Sequence, residues 1–157
     1  TFTADSDGDG LTDTNGVISE DAYGNQVAYG TYDFDEDDYS EIAFYMTEDA
    51  NGNLVATNVS DLDEDGYVDN TGYIEANEDG TAFVYEEYDF DEDGTVDADI
   101  VGYADEYGNV DVAAIVDSDG DGLGDMVYEE HYDSYGNLVS EDYYEDTDGD
   151  GDFDLHF

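Results

Sequence analysis

A nine-residue acidic pattern recurs six times along the chain, at 5–13 (DSDGDGLTD), 33–41 (DFDEDDYSE), 61–69 (DLDEDGYVD), 89–97 (DFDEDGTVD), 117–125 (DSDGDGLGD) and 146–154 (DTDGDGDFD). Successive copies start 28, 28, 28, 28 and 29 residues apart. Self-similarity at a fixed period specifies an array built from one supersecondary unit, each copy completing its neighbours. Five full repeats can be superposed, 5–32, 33–60, 61–88, 89–116 and 117–145, followed by a partial one at 146–157. The expectation is a single repeat array over 1–157, a window on a longer array.

Each repeat carries a second fixed signal. DAYGN at 21–25, DANGN at 49–53, NEDGT at 77–81, DEYGN at 105–109 and DSYGN at 133–137 place a Gly at position 20 of every full repeat. Between the two signals lie short runs rich in β-branched and aromatic residues, such as IAFYMT at 42–47, AFVYEEY at 82–88 and MVYEEHY at 126–132. A Gly turn between two strand-like runs is a hairpin signal, because the turn needs positive φ. The runs lack a 3.6 period and are too short for solitary helices. No Pro interrupts them, which suits strands of a continuous ladder. The repeat therefore reads loop, strand, tight turn, strand. The fold expected is all-β, a linear array of 28-residue units forming an open, β-solenoid-like rod, with propeller-type blades as the alternative. Alternation is clear at Ile42, Phe44 and Met46 and at Phe83 and Tyr85 but weak elsewhere, so no single buried face can be assigned. The Tyr-rich runs read as cross-strand packing.

Charge decides the conditions of folding. The 157 residues include 48 acids and no Lys or Arg, a formal charge of −48. Such a chain repels itself. Leu, Ile, Val and Phe total 31 residues, near the level at which highly charged chains stay disordered. Sixteen Tyr favour half-buried sheet instead. Together these predict a fold conditional on bound cations. Direct binding of nucleic acid is excluded, because no basic side chain exists to neutralise phosphate, and docking on an anionic membrane is disfavoured for the same reason. No apolar run is long enough to span a bilayer, so membrane insertion is not expected. The absence of Cys removes disulfides and thiolate ligands.

Within each loop, acids recur at positions 1, 3, 5 and 9, and Gly usually stands at position 6. Alternate carboxylates of a tight loop converge on one point, and a backbone carbonyl at position 7 adds an oxygen. Calcium takes six to eight such oxygens in flexible geometry; magnesium dehydrates reluctantly, and zinc prefers nitrogen and sulfur. The candidate metal ligands are Asp5, Asp7, Asp9, Leu11 and Asp13; Asp33, Asp35, Asp37, Tyr39 and Glu41; Asp61, Asp63, Asp65, Tyr67 and Asp69; Asp89, Asp91, Asp93, Thr95 and Asp97; Asp117, Asp119, Asp121, Leu123 and Asp125; and Asp146, Asp148, Asp150, Asp152 and Asp154. The cofactor expected is Ca2+, about one per repeat and up to six. An EF-hand is excluded, since its bidentate Glu at position 12 is replaced by Gly16, Phe44, Gly72, Ile100, Tyr128 and Phe157. The second loop departs furthest, with Asp38 at position 6 and Glu41 at position 9, and is expected to be the weakest or most distorted.

The DxDxDGxxD loops resemble those of thrombospondin type 3 repeats and of integrin-α FG-GAP repeats, both extracellular calcium-binding families. The YDSYGNLV segment at 132–139, with AYGNQV and EYGNV, is similar to the YD repeats of bacterial Rhs-type surface proteins, and the whole unit resembles bacterial secreted tandem-repeat arrays. Thrombospondin repeats carry disulfides that this chain lacks, and FG-GAP units have a period near twice this one. The resemblance implies calcium binding by the loop acids and an extracellular or cell-surface location. The functional expectation is a calcium-stabilised structural repeat protein (fibre, stalk or adhesin spacer) that self-associates into a fibre or longer array, and not an enzyme. The alternative is a calcium-dependent carbohydrate- or surface-binding module with glycan partners. His131 and His156, the only two His, have no recurring counterparts and read as structural or solvated. The sequon Asn58-Val59-Ser60 reads as a chance match.

Overall fold

The computed structural model describes residues 1–5, 11–35, 37 and 39–157. It is all-β, with no helix among the described residues. The strands are β1 (Phe2–Ala4), β2 (Thr14–Glu20), β3 (Gln26–Tyr32), β4 (Ile42–Glu48), β5 (Leu54–Ser60), β6 (Asn70–Ala76), β7 (Ala82–Tyr88), β8 (Ala98–Ala104), β9 (Val110–Val116), β10 (Met126–Tyr132), β11 (Leu138–Glu145) and β12 (Leu155–His156). They follow one another in the sheet in chain order, an open antiparallel meander that does not close into a barrel. Two compact units divide the chain, Thr1–Glu75 and Ala76–Phe157.

The arithmetic of the repeat is now physical. Seven residues of strand, a five-residue turn, seven more of strand and a nine-residue acidic loop make 28. Because the two kinds of connection alternate, within each unit the acidic loops share one end of the strands and the Gly turns share the other. The final step of 29 has a local cause. β11 is eight residues long, and its register against β10 slips between His131↔Ser140 and Tyr132↔Leu138, leaving Val139 as a bulge. A bulge absorbs one extra residue without moving the rest of the ladder to the wrong face.

In the first unit, rows of facing residues run across the sheet. One face carries Ile18, Ala28, Met46 and Ala56 in one row and Phe2, Gly16, Gly30, Phe44 and Asn58 in the next. Gly16 and Gly30 are required there by close approach. A Cβ on Gly16 would lie 2.5 Å from the Phe2 ring, and one on Gly30 would lie 2.9 Å from the Phe44 ring. The rings thus cover the glycines and supply the apolar contact these lack. The opposite face holds Val17, Tyr29, Tyr45 and Thr57 in a row. Across β2–β5 the only acids are Glu20 and Glu48, both beside the turns.

The second unit carries acids on the sheet itself and tethers them with phenols. The Tyr85 hydroxyl lies 2.9 Å from Glu87 and 3.0 Å from Asp99 and shares its one proton between them. The Tyr128 hydroxyl does the same between Glu130 at 3.0 Å and Glu141 at 3.1 Å, and Tyr132 donates to Glu130 at 2.7 Å. In a chain without Lys or Arg, the Tyr hydroxyl is the available donor, and a hydrogen bond to a charged acceptor is roughly twice as strong as a neutral one. The carboxylates in turn hold the Tyr128 phenol protonated up to about 12.

The sheet is one layer thick where an ordinary domain has two. Ala28 and Val127 are the only buried apolar side chains among the described residues. The chain exposes 9629 Å2, against about 7,800 Å2 for a folded monomer of its mass. The other buried side chains are polar: Asp13, Asp33, Glu41, Ser60, Asn70, Asp117 and Asp146.

Candidate metal sites

Five of those seven buried polar residues are acids, and all five stand at position 1 or 9 of an acidic loop. A buried carboxylate must be paired or coordinate a metal. Neither Lys nor Arg exists in the sequence, and the two His ion-pair elsewhere, with Asp111 and Asp142.

In the second to sixth loops, backbone amides hold one oxygen of several of the carboxylates. The position 9 carboxylate reaches back to the amide at position 2: Phe34 donates to Glu41 at 2.6 Å, Ser118 to Asp125 at 2.6 Å and Thr147 to Asp154 at 3.3 Å. Leu62 and Phe90 do the same for Asp69 and Asp97. This bond closes the loop from position 9 back to position 2. The position 1 carboxylate accepts from the Gly amide at position 6, as in Gly66 to Asp61 at 3.0 Å, Gly94 to Asp89 at 3.0 Å, Gly122 to Asp117 at 2.7 Å and Gly151 to Asp146 at 2.7 Å. Position 5 accepts from position 7, as in Tyr39 to Asp37 at 2.8 Å, Thr95 to Asp93 at 2.8 Å and Leu123 to Asp121 at 2.9 Å.

Carboxylate oxygens of these loops also converge on one another. Asp33, Asp35, Asp37 and Glu41 of the second loop offer carboxylate oxygens that all lie within 4.8 Å of one another. Asp61, Asp63 and Asp69 do so in the third loop, and Asp89, Asp91 and Asp97 in the fourth. Asp65 and Asp93 stand outside those two triads. Glu41 Oε1, Asp61 Oδ1 and Asp89 Oδ1 are buried without a hydrogen-bond partner. An unmatched buried carboxylate oxygen is costly, and a divalent cation resolves that cost with the hard oxygen chemistry calcium prefers. The donor set therefore fits the ion. In the second loop, expected to be the most distorted, the four acids at positions 1, 3, 5 and 9 come together; the longer Glu41 side chain still reaches the Phe34 amide. In the first loop Asp7 and Asp9 lie outside the described residues, as does Asp38, while Asp5, Leu11 and Asp13 are described and Asp13 is buried.

Loops five and six, with Gly at position 4, hold position 1 by a further amide, from Gly120 to Asp117 and from Gly149 to Asp146, both at 2.8 Å. The amides of Gly151, Gly149 and Asp148 lower the Asp146 pKa. Crowding acts in the opposite sense one step on. The charge of Asp121 raises Asp119, and that of Asp150 raises Asp148. The amides thus favour the charged form of Asp146, while the crowded acids disfavour charge on Asp119 and Asp148.

Position 4 is the residue type that pattern reading passed over. Glu64 and Glu92 occupy it with positive φ, 64° and 59°. Desolvation, then the charges of Asp37 and Asp35, push Glu64 up to about 7, with Glu41 adding to the effect. Glu64 of the third loop thus sits in the field of the second. The recurrence of Glu36, Glu64 and Glu92 at this position was the available signal; Glu36 lies outside the described residues. Backbone bonds also join neighbouring loops. The position 1 amide donates to the position 9 carbonyl of the loop before, from Asp33 to Asp13 and Asp61 to Glu41 at 2.8 Å, and from Asp117 to Asp97 at 2.9 Å.

The Gly turns at the opposite strand ends use their acids differently. Asp49 Oδ1 accepts from the amides of Asn51 at 2.8 Å and Asn53 at 3.0 Å, and Asn53 Nδ2 donates to Asp49 Oδ2 at 2.8 Å. These donors, led by the Asn53 side chain, lower the Asp49 pKa to about 2. Asp21, Asp105 and Asp133 are held the same way by Asn25, Asn109 and Asn137. Their carboxylates are satisfied by the turn itself.

No protein-family model matches the chain, and no curated protein and no solved structure does either.

Proposed function

We propose that this is a calcium-stabilised structural repeat protein of an extracellular or cell-surface setting, a fibre, stalk or adhesin spacer without catalysis. The observation that carries the reading is the burial of carboxylates at loop positions 1 and 9 in a chain with no Lys or Arg. Six calcium ions, one to a loop, would lower the formal charge from −48 to about −36 and supply the counter-charge those carboxylates lack. Each ion would draw positions 1, 3, 5 and 9 together and so fix the connection between two strands. Self-association follows from the same architecture, because the apolar row Ile18, Ala28, Met46 and Ala56 stands on a single-layer sheet and a second copy is the simplest cover. Calcium titration by calorimetry, with circular dichroism and hydrodynamic radius followed before and after chelation, tests the proposal. Up to six ions and a loss of sheet signal on chelation are expected. Unchanged dichroism and radius after chelation would refute it.

A glycan- or surface-binding role has one observation in its favour. Tyr107 and Tyr135, in the middle of two Gly turns, are 74% and 89% exposed, and open phenol rings are surfaces on which sugars stack. Binding on a glycan array that falls with Tyr135→Ala would select this role; binding indifferent to that substitution would reject it.

A further inference from the structure

Both His of the chain converge on one face of β9–β12. Three side chains there, Glu129, His131 and Asp142, each offer a ligand atom within 4.8 Å of the others. Glu129 and His131 are two apart on β10, hence on the same side of the sheet, and Glu129 stands directly opposite Asp142 on β11. We propose that Glu129, His131 and Asp142 form a site for a divalent transition ion of the zinc class, separate from the acidic loops.

Surrounding residues hold two of the three, His131 and Asp142, as a metal site requires. His131 Nδ1 lies 2.6 Å from Asp111 Oδ1, opposite it on β9. That bond places the proton of the neutral ring on Nδ1 and leaves the Nε2 lone pair available. A carboxylate on the far nitrogen is the usual partner of a metal-binding imidazole, fixing its tautomer and raising its basicity. On the other side, His156 Nε2 lies 2.9 Å from Asp142 Oδ1, which orients that carboxylate and leaves Oδ2 free. His156 is itself set by stacking on Tyr144, with ring centroids 4.4 Å apart and planes 5° apart. The His131 side chain is 40% exposed, open enough for an ion to enter.

The donor set selects the ion. One imidazole nitrogen and two carboxylates match three ligands of a tetrahedral zinc site, with water as the fourth. Calcium and magnesium are hard ions that gain little from imidazole. The same face without a metal would be an imidazolium–carboxylate pair and nothing more, and the two readings differ in solution.

The test uses the full chain in millimolar calcium, so that Zn2+ does not simply fill the acidic loops. Zn2+ is titrated by calorimetry while long-range 1H–15N spectra follow the imidazoles, which number two and are readily assigned. One Zn2+ per chain is expected, with the His131 Nε2 resonance moving to its metal-bound position. His131→Ala should abolish that step. Asp111→Asn, which touches no metal, should weaken it about 10- to 100-fold with calcium stoichiometry and sheet dichroism unchanged. The imidazole spectrum of the unaltered chain decides the matter even if a variant misfolds. Zn2+ uptake that leaves both imidazoles unmoved, or no uptake in excess of the loops, would overturn the proposal. Neither outcome bears on whether the loops take calcium.

Discussion

Glu41 shows how much of this protein's behaviour rests on single oxygens. Its Oε2 is held by the Phe34 amide, and its Oε1 is buried with no hydrogen-bond partner. Removing the charge should therefore have opposite effects in two states. In chelator, Glu41→Gln is expected to raise stability, because it relieves repulsion with Asp33, Asp35 and Asp37. In calcium, it should lower stability by about 1–3 kcal/mol, the cost of a lost charged ligand in a buried place. Thermal melts in both conditions check this, and a change of the same sign in both would contradict it. Asp49 gives a pH prediction with its own sign. Its pKa falls from 3.8 to about 2 on folding, so the unfolded chain binds the proton more readily. The stabilisation by this turn is complete above pH 4 and is lost as pH falls through 2. The amides of Asn51 and Asn53, which donate to Asp49, should keep their shifts until near pH 2; release near pH 4 would show that the turn bonds do not form.

At the scale of the strand, the ladder is set by connections of constant length, and its exceptions are informative. Deleting Val139 should convert β11 from eight residues to seven and remove the bulge against β10. The pairs His131↔Ser140 and Glu129↔Asp142 are expected to persist, as cross-strand proton contacts would show. Inserting one residue inside β9 should do the reverse, since a one-residue slip sends every following side chain to the other face. Gly30 offers a packing test. A methyl there would collide with the Asn15 carbonyl oxygen and stand 2.9 Å from the Gly16 Cα and 2.9 Å from the Phe44 ring, so Gly30→Ala is predicted to destabilise the first unit by about 1–3 kcal/mol. Denaturant melts measure it, and a neutral outcome would contradict the close approach of β2 to β3 at this position.

Taken as a whole, the molecule inverts the usual plan, with carboxylates in its most buried places and aromatic rings on its surface. A formal charge of −48 opposes compaction at low ionic strength. Salt should therefore stabilise the calcium-free chain strongly, as the screening length falls from about 10 Å at 0.1 M to about 3 Å at 1 M. With calcium bound, the gain from salt should shrink, because the ions already offset part of the loop charge and salt competes with them. Melting temperatures against NaCl, with and without chelator, give the comparison. Parallel slopes would indicate that the loops do not govern stability.

Much of this was legible in the residues alone. The period of 28, the positions of loop and turn, and strands such as 26–32, 54–60 and 110–116 follow from the spacing of Asp and Gly and from β-branched runs, which act locally through φ and side-chain shape. The clustering of the loop acids was legible for the same reason, since alternate carboxylates in one short loop are neighbours by covalent geometry. Other features depend on which strands lie side by side, and no local signal encodes that. Phe44 covers Gly30, Tyr128 reaches Glu141, and Glu64 enters the field of the second loop only once the meander brings them together. The weak alternation that hid a buried face has its reason here as well: with one layer of sheet and both faces open, neither face is required to be wholly apolar. Sequence determined the unit and the spacing of its acids, which act through local geometry; tertiary structure decided which of those carboxylates are buried, because burial depends on which strands and loops lie side by side.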